Sequence, residues 1–426
     1  MSSTKNDIAW EKLFKSHNIL SEVQRNGSFE ISAAQINQVR EARLMTKFDH
    51  KINLPKIFTD NKLSILPITR GSYVISQFET YKKFAEIDSE LIRVSLPEYL
   101  QSIDYENINS EAMAINCSFV SGILADFVED EELLPTVSGR MGSSSFSFNI
   151  RNMELKRDVT INVKNSQIEI DGGYEGLRYL TLLEAKNAIS DDFLVRQLYY
   201  PYRLWAGNVA KRVKPVFMVY SNGVYYLYEY QFEDVNNYNS LALIKQKRYS
   251  IEAVEITLED ILQIMGNIQF VTEPEIAFPQ ADNFNRIINL CELLFQNEMT
   301  KDDITTNYDF DPRQTNYYTD AARYLGLIDK KRDNSSIVFY LTYEGEKILK
   351  LKYKVRQLNF ARLILRHRPY HDVLRKYLTT RKMPSKEEIV RSMRESGLYN
   401  IEAESTYKRR ASTVAGWINW ILNLSR

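Results

Sequence analysis

Two neighbouring runs of β-favouring residues that carry charged side chains constrain this chain more than any other feature. The first run, residues 168–173, contains Asp171, and the second, residues 182–186, contains Glu184 and Lys186. Because successive side chains of a strand point to opposite faces, Glu184 and Lys186 share one face. If the two strands are neighbours, both carboxylates and the ammonium converge. Such a site suits Mg²⁺, which takes a few carboxylates and leaves its other positions to water and phosphate oxygens.

The composition predicts a protein with several folded domains. The chain has 426 residues, of which 44% are hydrophobic, which is enough for about two to four domains. No apolar run reaches the roughly 18 to 20 residues that cross a bilayer, and the N-terminus lacks an apolar signal core, so we expect a cytoplasmic protein with no membrane partner. The two cysteines, Cys117 and Cys291, lie far apart and predict buried apolar residues rather than a disulfide or zinc site.

Charge is unevenly distributed along the chain, although the totals balance at 55 basic and 55 acidic residues. Residues 351–426 contain 17 Lys and Arg against 6 Asp and Glu, whereas residues 110–350 contain 24 against 35. A basic segment is expected where a protein contacts the DNA backbone, and an acidic segment repels DNA unless a metal ion is bound there. The alternative is that the basic residues only line solvated helix faces.

The apolar periodicity and the turn residues divide the first two thirds of the chain into two domains. We expect an N-terminal α+β domain over residues 1–108. Its role could be DNA recognition or dimerisation, and the sequence does not decide between the two. Residues 109–280 predict an α/β domain, in which a mixed sheet is flanked by helices. One helix is expected over residues 112–129, with a solvated acidic end, and another is expected to be capped by Ser190. A hairpin is expected over residues 216–228.

The remainder of the chain predicts two domains suited to DNA binding. Residues 281–352 have the pattern of a winged helix, and residues 353–426 that of a basic helical domain similar to a helix-turn-helix. In such proteins the recognition helix enters the major groove, although winged helices also serve in dimerisation. The candidate DNA-binding residues of the two domains are Arg313, Gln314, Asn316, Lys330, Lys331, Arg332, Lys408, Arg409 and Arg410.

The arrangement of Asp171 followed by Glu184, Ala185 and Lys186 resembles the motif of the PD-(D/E)XK nuclease superfamily. More narrowly, residues 139–142, 169–175 and 197–202 resemble a group of bacterial type II restriction endonucleases, and the similarity covers mainly residues 135–205. The chain departs from the superfamily motif at Ile170, which stands where the proline would. A related Gln-x-x-x-Tyr pattern is also not met, since Pro201 stands four residues after Gln197.

The resemblance implies a restriction-endonuclease-like core and a Mg²⁺-dependent enzyme that cleaves double-stranded DNA at a specific short sequence and leaves 5′-phosphate ends. It implies that Asp171 and Glu184 hold Mg²⁺ together with the carbonyl of Ala185. Lys186 would orient the attacking water or help to deprotonate it, while the metal lowers the pKa of that water. Glu169 lies two residues before Asp171 on the same strand face and is a further candidate metal ligand.

The same interpretation gives an expectation for the substrate phosphate and one for the oligomeric state. Arg140 lies in the segment 139–142, in which the first and last residues are glycines. It is a candidate phosphate ligand, because glycine permits close approach of a ligand. Cleavage of both strands at a palindromic site needs two active sites, so we expect a homodimer in the bacterial cytoplasm. Two alternatives stay open: a nuclease that cuts only modified DNA, and a winged-helix regulator that binds DNA without catalysis.

Overall fold

A computed structural model describes residues 4–86, 89–251, 255–307, 310, 312–333 and 336–425. Over these residues the protein contains 17 α-helices and 17 strands, which form five sheets. The prediction of a mixed α/β structure with a large mixed sheet is confirmed. Within the same residues, no helix combines the length and the apolar character needed to span a membrane.

The N-terminal part, residues 4–76, packs short helices against a small antiparallel sheet with the strand order β1-β3-β2. Its elements are α1 (Lys5–Ser16), α2 (Ile19–Asn26), β1 (Phe29–Ser32), α3 (Ala33–Asn37), α4 (Ala42–Thr46), a 3₁₀ turn (Lys51–Asn53), α5 (Lys56–Asp60), β2 (Ser64–Pro67) and β3 (Ser72–Ser76). The ring of Trp10 is fully buried and meets the rings of Phe14 and Phe58 edge-on. This aromatic cluster holds α1 against α5.

The central part, residues 81–250, is built around a seven-stranded sheet with the order β5-β14-β13-β12-β10-β9-β6. The elements of this part are β4 (Tyr81–Lys83), β5 (Leu91–Arg93), α6 (Glu111–Val120), α7 (Ile123–Val128), β6 (Leu134–Gly142), β7 (Ser145–Asn152), β8 (Arg157–Lys164), β9 (Gln167–Glu175), β10 (Tyr179–Lys186), β11 (Asp192–Leu194), α8 (Arg196–Ala206), β12 (Arg212–Ser221), β13 (Val224–Phe232) and β14 (Leu241–Ser250). Strands β10 and β12 are parallel and are joined through α8, whereas β9 and β10 are antiparallel.

Helices cover both faces of this sheet at β10. Leu183 and Ala185 pack with α6 and α7 on one face, and Leu180 and Leu182 pack on the other face, where α8 lies. A strand buried on both faces is apolar along nearly its whole length. The charged residues at the end of β10 are therefore exceptions in an otherwise apolar strand.

Two predicted helices differ from the observed ones. The helix predicted over residues 112–129 is divided into α6 and α7, because Gly122 adopts a left-handed conformation with φ 78° between them. The helix predicted to be capped by Ser190 begins instead at Arg196. Residues Asp192–Leu194 form β11, which pairs with the distant strand β4. The predicted hairpin is confirmed, since β12 and β13 are adjacent and antiparallel.

The C-terminal part, residues 258–425, combines nine helices with a small sheet of order β15-β17-β16 within the described residues. Its elements are α9 (Leu258–Gly266), α10 (Phe284–Gln296), β15 (Met299–Thr300), α11 (Lys301–Asn307), α12 (Pro312–Tyr324), β16 (Ile328–Asp333), β17 (Ser336–Leu341), α13 (Tyr343–Leu349), α14 (Tyr353–Leu365), α15 (Arg368–Thr380), α16 (Lys386–Glu395) and α17 (Glu404–Asn423). One apolar core runs from Ile261 to Leu422. Trp417 is fully buried in it and donates to the carbonyl of Ala281 at 2.7 Å, so residues 281–352 and 353–426 share a single core.

Candidate active site

The antiparallel pair β9 and β10 brings Asp171 to the end of β10. The register pairs Leu183 with Gly172. One residue further on, Oδ2 of Asp171 accepts a hydrogen bond of 2.8 Å from the backbone N–H of Ala185. At this end of the strand pair, a side-chain carboxylate of β9 thus accepts the hydrogen bond that the backbone of β10 donates. The two runs of the sequence are neighbours, as the convergence of their charged residues requires.

Glu184 and Lys186 share one face of β10 and form an ion pair with little exposure. Nζ of Lys186 lies 2.5 Å from Oε1 of Glu184, and the two side chains are 19% and 10% exposed. The same ammonium lies 3.3 Å from the carbonyl oxygen of Ala185. Gln197, in the first turn of α8, donates from Nε2 to Oε1 of Glu184 at 2.6 Å. One carboxylate oxygen is therefore held from two sides.

Burial shifts the protonation equilibria of this pair. It raises the pKa of the Glu184 carboxyl to about 7, with a contribution in the same direction from Asp171 and an opposing one from Lys186. Burial alone lowers the pKa of Lys186, but the surrounding carboxylates, first among them Glu184, bring it above its usual value. At neutral pH the ammonium is therefore charged, and the carboxylate of Glu184 is the group that titrates.

Glu111, the first residue of α6, is an acidic residue of the site that the sequence does not single out. The backbone N–H of Asn187, directly after Lys186, acts on this carboxylate and lowers its pKa. Burial raises the pKa of Glu111, while Lys186 lowers it and Asp171 raises it. In the sequence, Ser110 and Glu111 form an ordinary helix start, with a cap and an acidic first turn. That pattern contains no signal for a functional role.

A further carboxylate comes from the N-terminal part. Asp49 raises the pKa values of both Glu184 and Lys186 through its charge. Its backbone carbonyl accepts from the N–H of Leu194 at 2.9 Å, which fixes the residue beside β11. The N-terminal part is thus docked next to the candidate active site, and its contact residues lie far from that site in sequence.

The donors at this site fit a hard divalent cation. Asp171 and Glu184 offer carboxylate oxygens and Ala185 offers a carbonyl, which are the ligand types that Mg²⁺ takes. Oε1 of Gln197 is buried and lacks a hydrogen-bond partner among the described residues, so it can accept from a water molecule in the site. Over the same residues, no three His, Cys, Asp or Glu side chains are close enough together to hold one ion. Two carboxylates with backbone and solvent oxygens are therefore the ligand set that this arrangement permits.

Glu169 and Arg140 lie on paired positions of β9 and β6. Nε of Arg140 is 3.1 Å from Oε1 of Glu169, and both side chains are more than half exposed. An exposed pair of this kind contributes little to stability. Glu169 also lines a narrow cavity together with Glu184 and Gln197. The roles of Glu169 as a metal ligand and of Arg140 as a phosphate ligand stay predictions.

The predicted DNA-binding residues of α12 and the following hairpin lie mainly at the surface. Arg313 and Asn316 are exposed and Gln314 is half-buried. The guanidinium of Arg313 lies 5.4 Å from the ring centre of Tyr317. The neighbouring hairpin of β16 and β17 exposes three consecutive cations, namely Lys330, Lys331 and Arg332. Of these, Lys331 forms an ion pair of 2.7 Å with Glu298.

The basic residues of α17 do not share one environment. Lys408 and Arg409 line an open groove of about 600 Å³. The other residues that line it are Gln280, Asp282, Lys386, Ser405, Ser412 and Thr413. Arg410 is half-buried and its Nε and Nη1 have no hydrogen-bond partner within the described residues. Burial lowers the pKa of Arg410, and Tyr317 and Asp320 of α12 act on it electrostatically, so this residue faces α12 rather than the groove.

Three protein-family models match successive stretches of the chain, and each is described as a domain of unknown function. DUF6996 matches residues 7–75, DUF6997 matches residues 76–250 and DUF7226 matches residues 286–426. The first boundary lies one residue before the end of β3 at Ser76, and the second stretch ends with β14 at Ser250. The candidate active site lies mainly in the second stretch. No curated protein matches the chain, and no solved structure does so either.

Proposed function

We propose that the protein is a Mg²⁺-dependent endonuclease of the PD-(D/E)XK type that cleaves double-stranded DNA at a specific short sequence, as type II restriction enzymes do. The observation that carries the proposal is the meeting of Asp171, Glu184 and Lys186 at one end of two adjacent strands. The crossover helix α8 adds Gln197 to the same carboxylate. A structural ion pair needs neither the second strand's carboxylate nor this amide.

The chemistry of the residues fits phosphodiester hydrolysis. Asp171 and Glu184, with the carbonyl of Ala185, would hold Mg²⁺, which lowers the pKa of bound water and offsets the charge of the scissile phosphate. The charged ammonium of Lys186 is available to orient the attacking water and to stabilise the negative charge that develops on the phosphate. Gln197 holds the carboxylate of Glu184 in one orientation. Because Lys186 keeps its proton, it is better suited to supply a positive charge than to act as a base that takes a proton from water.

The C-terminal part supports duplex DNA as the substrate. Its elements from α10 to β17 follow the order of a winged helix, with α12 in the place of the recognition helix. Arg313, Gln314 and Asn316 are then positioned to read base edges, and Lys408 and Arg409 to contact phosphates. A palindromic site would be cut by a homodimer, since two strands need two active sites.

The proposal is tested with the full chain, Mg²⁺ and plasmid DNA. Wild type is expected to cut at fixed positions and to leave 5′-phosphate ends that ligase accepts. Lys186→Ala should lower the cleavage rate on the order of 10²-fold or more. Lys247→Ala is the matched control, because Lys247 lies on β14 of the same sheet and also pairs with a carboxylate, that of Asp126 in α7, at 3.0 Å.

Three outcomes separate the alternatives. The proposal is wrong if wild type shows no Mg²⁺-dependent cleavage, or if Lys186→Ala cuts as fast as wild type. Binding without cleavage on every DNA would indicate a regulator. Methylated and unmethylated plasmids are digested side by side, because cleavage of the modified DNA alone would indicate a nuclease that depends on modification.

A further inference from the structure

The backbone that follows Lys186 is held by a helix of the C-terminal part. Asn289 of α10 donates from Nδ2 to the carbonyl of Asn187 at 2.7 Å, and its Oδ1 accepts from the N–H of Ile189 at 3.2 Å. Arg286, one turn earlier on α10, donates from Nη2 to the carbonyl of Ile189 at 3.3 Å. Both side chains are only 5% exposed. The amide of Asn289 therefore provides both hydrogen bonds that a neighbouring strand would otherwise make.

The same segment is held from its other side by the central part. The backbone N–H of Asn187 acts on the carboxylate of Glu111, at the start of α6, and lowers its pKa. Lys186 itself is the last residue of β10 in register with β12, where it lies opposite Val219. Beyond this point the sheet no longer holds the chain, so the contacts of Asn187 and Ile189 with α6 and α10 determine its path.

Arg286 extends this contact to α12. Its guanidinium carbon lies 5.0 Å from the ring centre of Phe310 and 5.8 Å from that of Tyr318. Tyr318 is 5% exposed and belongs to the same helix as Arg313 and Asn316. Packed side chains thus connect the proposed recognition helix with the backbone three residues after Lys186.

We infer that Asn289 and Arg286 are positioning residues, through which the C-terminal part fixes Lys186 in the candidate active site. This inference rests on the proposed nuclease function, because it assigns the contact a role in cleavage. Displacement of a catalytic group by about 1 Å can cost on the order of 10²-fold in rate. The physical requirement is that α10 be rigid, and its apolar face is part of the C-terminal core.

The inference is tested by replacing Asn289 in the full chain. Asn289→Leu is close to isosteric and removes both hydrogen bonds to this segment, together with a longer one of 3.4 Å from Nδ2 to Oε2 of Glu292. Asn285→Leu is the matched control, since Asn285 lies one turn away on α10 and accepts from Trp420 at 2.9 Å instead. Hydrogen exchange of peptides that cover residues 186–190 is measured without DNA. Single-turnover cleavage and the Kd for DNA are measured alongside, with the unfolding temperature as a check on folding.

We expect Asn289→Leu to speed exchange at Ile189 and to slow cleavage at saturating DNA about 10- to 100-fold, with the Kd within about twofold of wild type. The control should leave exchange and cleavage unchanged. If Asn289→Leu does not fold, Asn289→Ala replaces it: this variant removes the same hydrogen bonds with a shorter side chain, so exchange at Ile189 should become faster and cleavage should fall.

Unchanged exchange in the folded Asn289→Leu variant would overturn the inference, and so would faster exchange with wild-type cleavage. An equal loss of DNA binding and cleavage would also overturn it, because that result assigns Asn289 to DNA binding alone. If wild type does not cut DNA, the proposed function fails and with it the role of Asn289 in cleavage, while the exchange data still decide whether α10 holds the segment.

Discussion

The side-chain amide of Gln197 donates a hydrogen bond of 2.6 Å to Oε1 of Glu184. The two residues are 13 positions apart, on the crossover helix α8 and on strand β10. Because Lys186 pairs with the same oxygen, the carboxylate is fixed in orientation while its other oxygen stays available. The helix that joins the two parallel strands therefore organises the site as well as the sheet.

The raised pKa of Glu184, about 7, predicts a pH dependence of cleavage. This value applies to the metal-free site, where protons and Mg²⁺ compete for the carboxylate, so at Mg²⁺ concentrations below saturation kcat/KM should fall by up to about tenfold for each pH unit as the pH is lowered. A hydrogen bond to the ionised form lowers a carboxyl pKa, so Gln197→Leu should move the midpoint to higher pH. A pH–rate profile of both proteins tests this. A midpoint that stays in place or moves to lower pH would contradict the assigned role of Gln197.

Glu111→Gln removes a negative charge from the site but keeps an acceptor for the N–H of Asn187. We expect the Mg²⁺ concentration for half-maximal cleavage to rise on the order of tenfold, as is usual for residues that support metal ligands. Titration of cleavage rate against Mg²⁺ measures the change. Glu131→Gln, at an exposed position, is the control and should leave the titration unchanged. An identical Mg²⁺ requirement in Glu111→Gln and wild type would show that this charge does not act on the metal.

The groove beside α17 predicts a change in salt dependence. Lys408→Ala and Arg409→Ala should each weaken DNA binding similarly for all sequences and reduce the slope of log Kd against log salt by about 1. Lys350→Ala is the control, because Lys350 pairs with Glu346 outside the groove. Binding isotherms at several salt concentrations provide the slopes. Slopes equal to that of wild type would remove the groove from the DNA interface.

Gly173 on β9 is closely approached by the neighbouring strand β6. A Cβ atom there would lie 2.7 Å from Cβ and 2.8 Å from the carbonyl oxygen of Val137. Gly173→Ala should therefore lower the free energy of unfolding by about 1 to 3 kcal/mol. Gly266→Ala is the control, since no atom lies within 4 Å of a Cβ built there. Thermal unfolding of both variants measures the loss of stability. An unfolding temperature of Gly173→Ala equal to that of wild type would show that β6 can move away.

The charged triad of Asp171, Glu184 and Lys186 could be predicted from the sequence, because its formation depends on the order of residues along two consecutive strands. Alternation along β10 places Glu184 and Lys186 on one face, and the short connection between Glu175 and Tyr179 makes β9 and β10 neighbours. The large mixed sheet followed from the same kind of pattern. The sequence-based prediction was wrong at β11, where a helix start was expected. Pairing with β4 outweighs a good N-cap sequence there.

What the sequence determined by itself was therefore the two strands of the site, their faces and the three charged residues that meet where these strands pair. Only the tertiary structure decided that Glu111 and Asp49 face this triad, and that Asn289 holds the residue after Lys186 from 102 positions away. The physical reason is that periodicity reports which face of an element is buried, and not against what. Contacts between distant elements arise only when helices and strands pack together, and such contacts leave no pattern in either segment alone.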